Sequence, residues 1–123
     1  MSILGRLNDE IDEGFLMNNL FTRNQYCEKS VWWGANIFLP KSDNPFLIRP
    51  YYQIRYYTSG SNEGCLILRG EMGFGRHKAR QISRKRVEDC IDFLTAIERF
   101  KEIICKDWRF TKDQLEVKKM KID

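Results

Sequence analysis

The residues most able to do chemistry lie together between Gly70 and Arg86. This stretch holds Gly70, Gly73 and Gly75, then Arg76, His77, Lys78, Arg80, Arg84, Lys85 and Arg86, with no acid after Glu71. An apolar run precedes it and a helical pattern follows. Glycines, cations and a helix start in that order suit an anion, above all a phosphate, because a helix N-terminus offers unpaired N–H groups and a partial positive charge. Ser83 is a good N-cap residue, so the reading starts a helix at residue 84. Cations in a first turn cost roughly 0.3–1 kcal/mol each. A bound anion would offset that cost, and solvation of the splayed charges is the plainer alternative.

Specific nucleotide motifs do not fit. Gly75 is followed by Arg76 and His77 rather than Lys and Ser or Thr, and the glycine order is not that of a dinucleotide fingerprint. The glycines read as a flexible turn. His77 among cations favours its neutral form, which makes it a phosphate donor or a solvated loop residue rather than a general base. Glu116 and Lys118 echo the Glu-x-Lys element of metal-dependent nucleases. Such a site needs a further acid on a neighbouring strand, and the chain before Glu116 reads as helix and loop. Cys27, Cys65, Cys90 and Cys105 are too widely spaced for a zinc motif. The expectation is therefore no catalytic group, no metal and no cofactor.

Charge is uneven along the chain. Residues 1–40 hold three Lys or Arg against five Asp or Glu, residues 41–86 ten against three, and residues 87–123 eight against nine. A basic middle third argues for a polyanionic partner more strongly than the total of +4 does. With 42% apolar and 31% charged residues in 123, the chain reads as one globular domain, 1–123. No leader pattern opens it and no apolar run nears the ~20 residues of a membrane span. A cytoplasmic protein with reduced thiols and no membrane partner is expected.

The elements that must position these residues follow from periodicity. Leu4, Leu7 and Ile11 place a helix over 3–13, and Phe15, Leu16, Leu20 and Phe21 continue a second helical segment. Alternation predicts strands over 30–39, 51–58 and 65–69, joined as an antiparallel meander. Phe46, Leu47 and Ile48 are expected to pack beneath the loop between the first two. Val87, Cys90, Ile91, Leu94, Ile97, Phe100 and Ile104 predict a helix from 84 to about 106 that covers the sheet. Residues 114–122 read as a polar edge strand or a short helix. The fold expected is α+β: an N-terminal helix, a three-stranded meander, a long C-terminal helix and an extra edge strand at the C-terminus.

Eight of the sixteen aromatics fall in the first two of those strands and the loop between them. With the long helix on the Trp33 side, the other side would carry Trp32, Phe38, Tyr51, Arg55, Tyr57 and Arg69. Aromatics interleaved with Arg suit stacking of unpaired bases. The competing arrangement has the N-terminal helix covering that side as well.

Two functions follow. The first is a non-enzymatic nucleic-acid-binding protein. Arg76, His77, Lys78, Arg80, Arg84, Lys85 and Arg86 would meet phosphates, with Arg55, Tyr51, Tyr57 and Trp32 as a second surface. The second is an inhibitor or adaptor that docks on a larger protein or nucleoprotein complex, where Tyr, Trp and Arg commonly dominate binding. A homodimer through an edge strand, or through the Phe93 and Ile103 side of the helix, is compatible with either.

Overall fold

Strand patterning in the middle of the chain produces a larger sheet than its apolar alternation alone indicates. The computed structural model describes residues 10–27, 30–72 and 79–120. A short helix, α1 (Glu13–Asn18), leads into β1 (Thr22–Cys27), β2 (Ser30–Phe38), β3 (Tyr51–Tyr57), β4 (Cys65–Met72) and β5 (Arg80–Arg86). Helix α2 (Cys90–Trp108), a 3-10 turn (Lys112–Gln114) and β6 (Glu116–Lys119) complete it. The expected α+β class holds. Most of the helix expected over 3–13 lies outside the described residues.

The six strands form one antiparallel sheet in the order β1-β2-β3-β4-β5, with β6 also on β2. One edge of β2 is shared. β1 pairs with its first half, from Ser30 to Gly34, and β6 with its second half, from Ala35 to Phe38. The other edge pairs along its length with β3. The three-stranded meander thus becomes five strands, and the C-terminal segment is a strand as expected.

The basic stretch is the main correction. Arg80, Arg84, Lys85 and Arg86 lie on β5, antiparallel to β4, and not on a loop entering a helix. Ser83 is a strand residue. The helix cap is Asp89, whose carboxylate accepts from the Asp92 N–H at 2.8 Å. An acid at that end suits the helix dipole, so no cations crowd the first turn. β4 needs hydrogen-bond partners along its outer edge, and residues 80–86 supply them. Arg76, His77 and Lys78 lie outside the described residues.

The core fills one side of the sheet. Trp33, Ala35 and Ile37 from β2, Tyr52, Ile54 and Tyr56 from β3, and Leu66 and Leu68 from β4 meet Phe93, Ala96, Phe100 and Ile104 of α2. Phe93 is the centre, edge-on to Phe15, Phe21 and Tyr56 at 5.1, 5.2 and 5.5 Å between ring centroids. The helix is rotated from the expected stripe, leaving Ile91 75% and Leu94 44% exposed. Phe93 is fully buried and offers no dimer surface. Trp108 Nε1 donates to the Tyr52 hydroxyl at 2.6 Å, fixing the far end of α2 to the sheet. No helix among the described residues is long and apolar enough to cross a membrane.

The β2–β3 loop also differs from expectation. Ser42 Oγ accepts from the Asn44 N–H at 3.1 Å, and Asn44 Oδ1 from the Phe46 N–H at 3.0 Å. Arg49 donates to the Pro40 carbonyl and lies 5.0 Å from the Phe110 ring centroid. These turns direct Phe46, Leu47 and Ile48 outward, at 91%, 52% and 73% exposure, instead of under the loop.

Phe93→Ala should cost about 3–5 kcal/mol in denaturant unfolding, because three rings lose their common contact. Tyr56 gives a pH signature. Its buried hydroxyl has no hydrogen-bond partner among the described residues, and burial pushes its pKa from 10.0 up to about 12. The folded state therefore holds a proton that the unfolded chain releases, so stability falls as pH rises from about 10 through about 12. Tyr56→Phe should remove this alkaline loss and raise stability at pH 7 by about 1 kcal/mol, because no unpaired hydroxyl is buried. Unfolding curves at pH 7 and pH 11 check both points.

Candidate nucleic-acid interface

Strand alternation sends every second side chain away from α2. Four cross-strand rows result. Asn24, Trp32 and Tyr57 form the first, and Thr22, Gly34, Arg55, Ile67 and Arg84 the second. The third is Lys118, Asn36, Gln53, Arg69 and Gln81. The fourth is Glu116, Phe38, Tyr51 and Met72. Both described helical segments pack on the opposite side, through Phe15, Leu16 and the α2 core residues. The arrangement in which an N-terminal helix covers this second face is not seen among the described residues.

The face has two aromatic groups. At one end the Arg55 guanidinium lies 3.9 Å from the Trp32 ring centroid, and Tyr57 is 6.4 Å from Trp32. Arg55 is also held by Gln53 Oε1, which accepts from its Nε, and by the Tyr57 hydroxyl, 3.2 Å from its Nη1. Burial pushes the Arg55 pKa down, and the Tyr57 hydrogen bond partly offsets this. Arginine stays charged nonetheless. At the other end Phe38 and Tyr51 stack at 5.1 Å, with Lys118 Nζ 5.4 Å from the Phe38 centroid.

Between these groups the face is polar. Gln53 is buried at 4% exposure, and its Nε2 reaches only a sulfur, Met120 Sδ at 3.8 Å, in the bonds described. Asn36 Oδ1 and Arg69 Nε are buried with no hydrogen-bond partner among the described residues. Buried polar groups are normally paired, so these are acceptor and donor capacity left over. Ile67, 1% exposed, lies between Arg55 and Arg84 in register, flanked by two residues whose apolar stems suit such a position.

Cations dominate. Arg55, Arg69, Arg84 and Lys118 face this side against one described acid, Glu116, which pairs with Lys118 at 3.7 Å. Arg84 is anchored by Asn62 Oδ1 at 3.1 Å. Arg86 follows Arg84 by alternation at the strand end, where it also borders a recess beside α2.

No family model, curated protein or solved structure matches this chain. The interface is therefore read from its own geometry.

Of the residues expected to bind, Trp32, Tyr51, Arg55, Tyr57 and Arg84 converge on one face. Lys85 does not. It points to the helix side, where it lines a recess with Ser83, Arg99, Phe100 and Lys106. Arg80 pairs with Gly70, whose missing side chain would point at Ile82 and Tyr52, so it too lies on the helix side. Sequence reasoning missed Asn24, Asn36, Gln53 and Met120. Asn24 sits on β1, a strand with no apolar alternation to reveal it. Among the described residues, no group of three or more His, Cys, Asp or Glu could hold a metal ion.

Gly34 sets the geometry of the first aromatic group. A Cβ there would meet the Trp32 ring at 2.4 Å and Met120 Sδ at 2.7 Å. The ring is pinned beneath Arg55 and cannot yield without losing that contact. Gly34→Ala should cost about 1–3 kcal/mol in unfolding. It should also shift the Trp32 indole N–H resonance, while the Trp108 indole, bonded to Tyr52 on the other side of the sheet, should not move.

Proposed function

We propose that this chain is a small non-enzymatic nucleic-acid-binding protein, and that it takes single strands on the sheet face opposite α2. One observation carries the reading: two aromatic groups and the cations Arg55, Arg69, Arg84 and Lys118 share that face. Unpaired bases stack on aromatic and guanidinium planes for roughly 1–3 kcal/mol each, while the cations meet the phosphates. Paired bases hide their planes, so a duplex could use only the charges. Phosphate contacts then include Arg84 of β5 and the arginines of β3 and β4, beside the expected Arg76, His77 and Lys78, which lie outside the described residues.

The second reading is a protein-interaction module, an inhibitor or adaptor on a larger enzyme or nucleoprotein complex. It is favoured by Phe46, Leu47 and Ile48, exposed on a loop stiffened by its own turn bonds. Apolar anchors of that kind fill pockets on protein partners.

Labelled single-stranded DNA, RNA and duplex DNA, titrated at ~50 and ~200 mM salt, separate the two. Single strands should bind more tightly than duplex, and affinity should fall steeply with salt. Arg84→Ala should weaken binding and lower the salt slope by about one phosphate contact. Lys85→Ala, its neighbour on the other face, should leave both unchanged. Equal losses at the two positions would defeat the assignment of the face. No binding at the lower salt would leave the protein partner as the reading to pursue.

A further inference from the structure

We propose that the outer edge of β5 takes an extended acidic peptide of a partner protein as an added strand, seated along the seam between β5 and α2. The inference concerns the edge and the helix side of the sheet, so it does not depend on the nucleic-acid reading of the opposite face.

The edge is open. β5 is last in the sheet order, and among the described residues no strand pairs with its outer side. The Val87 N–H bonds the Gly64 carbonyl at 3.0 Å, which makes the adjoining partners Cys65 and Arg86 a non-hydrogen-bonded pair. Such pairs alternate with hydrogen-bonded ones. Ile67 and Arg84 are therefore another, while Lys85 turns its peptide groups to β4. Arg84 and Arg86 turn their N–H and C=O groups outward. A strand laid about 4.8 Å away would complete those bonds.

The surroundings select an acid. Two recesses of about 340 and 260 Å³ lie along the seam, and Lys85 and Arg99 border both. In the larger, Phe100 is 1% exposed and Ile103 half-buried, whereas Lys85, Arg99 and Lys106 are exposed. The recess therefore has an apolar floor and a cationic rim. Arg99, Ile103 and Lys106 are four and three residues apart on α2 and share one stripe. Among the described residues, Lys85, Arg99 and Lys106 have no ion-pair partner. The acid bordering this recess, Glu102, is engaged by Lys112 at 3.6 Å. An added strand would lay its helix-side residues over this stripe, with an apolar one against Ile103 and carboxylates beside Lys85, Arg99 and Lys106.

Other occupants fit less well. A second copy's β5 would bring the same cations against Arg84 and Arg86. Its opposite edge carries Arg23, Lys118 and Lys119 against the single acid Glu116. A nucleic acid has phosphates for the cations but no row of peptide groups for the edge. Protection against aggregation requires charge on the strand alone and leaves Arg99 and Lys106, on the helix, without a reason.

The probe is a labelled, end-blocked peptide, Thr-Glu-Thr-Val-Thr-Glu-Thr-Glu-Thr, with its acids and valine on one side of a strand. With free peptide at ~10 times Kd, hydrogen exchange of the Arg84 and Arg86 amides should slow about tenfold, while the Lys85 amide, already paired, should change less. Arg99→Glu with Lys106→Glu should weaken binding about tenfold. Arg23→Glu, at the opposite edge, should not. Unchanged thermal unfolding verifies both variants. Two N-methylated peptides, one modified at the Thr amides and one at the Glu and Val amides, keep every charge, and one of the two should lose binding. Equal binding of both, an unchanged affinity for the double variant, an equal loss in Arg23→Glu, or no binding up to ~1 mM peptide overturns the added strand. A single-stranded oligonucleotide should not displace the peptide. Displacement that the double variant abolishes would make the seam a phosphate surface and overturn the proposal as well.

Discussion

A single helix of 19 residues has to close one side of a six-stranded sheet, and everything about the other side follows from that. A helix of this length extends about 28 Å. It covers the width of the sheet once, with α1 filling the remaining corner around Phe93. The opposite side has no described layer to bury it, yet its central strands still carry large apolar groups. Trp32 at 8% and Ile67 at 1% exposure are as buried as the core, although they lie outside it. The long side chains of the face itself provide the cover. Arg55 lies on Trp32, arginine stems flank Ile67, and Lys118 approaches Phe38. An amphipathic cation can do this because its stem is apolar while its head stays in water. The resulting surface is aromatic beneath and positively charged above, which is the chemistry of a stacking platform for a polyanion.

The strands that were legible in the sequence are those with something to bury. β2, β3 and β4 alternate clearly, since each feeds the core on one side, and that alternation also sorted Trp32, Tyr51, Arg55 and Tyr57 onto a common face. β1 and β5 contribute little to the core. Arg80–Arg86 has one apolar residue, Ile82, so no period of two is visible, and its place in the sheet comes from the hydrogen-bonding demand of β4. The same polarity made Ser83 resemble a helix cap. Asp89, with Asp92 three residues on, is the acid-rich start that the dipole prefers, but it lies inside what read as a continuous helical stripe. The stripe itself was misjudged by about one residue because Phe93, the largest side chain available, takes the central position and turns Ile91 and Leu94 outward.

The candidate site was partly legible for the same reason. Residues on strands that feed the core could be assigned to a face. Residues brought to that face by pairing across the sheet could not. Arg84 joins Arg55 only because Ile67 pairs with both, and Lys118 joins Phe38 only because β6 returns to β2. Asn24 joins the face through its pairing with Trp32, a relation between strands that no spacing along the chain expresses.

The charges on β5 have a simpler physical role that must be weighed against ligand binding. Cations on an outer strand discourage pairing with another sheet, and that protection depends on charge along the strand and not on which side it points. Arg80 and Lys85, on the helix side, serve it as well as Arg84 does. Protection alone therefore accounts for β5 being basic. It does not account for Arg55 and Arg69, which are on interior strands where no edge needs guarding, and where a partly buried guanidinium carries a desolvation cost. Arg55 bears that cost while fixed against a tryptophan, a glutamine and a tyrosine. A sheet that needed only to hide Trp32 from water could do so with an uncharged side chain of similar length. Positive charge on the interior strands, on the side carrying the half-buried rings of Phe38, Tyr51 and Tyr57, is the feature that edge protection leaves unexplained and that the proposed polyanionic partner would account for.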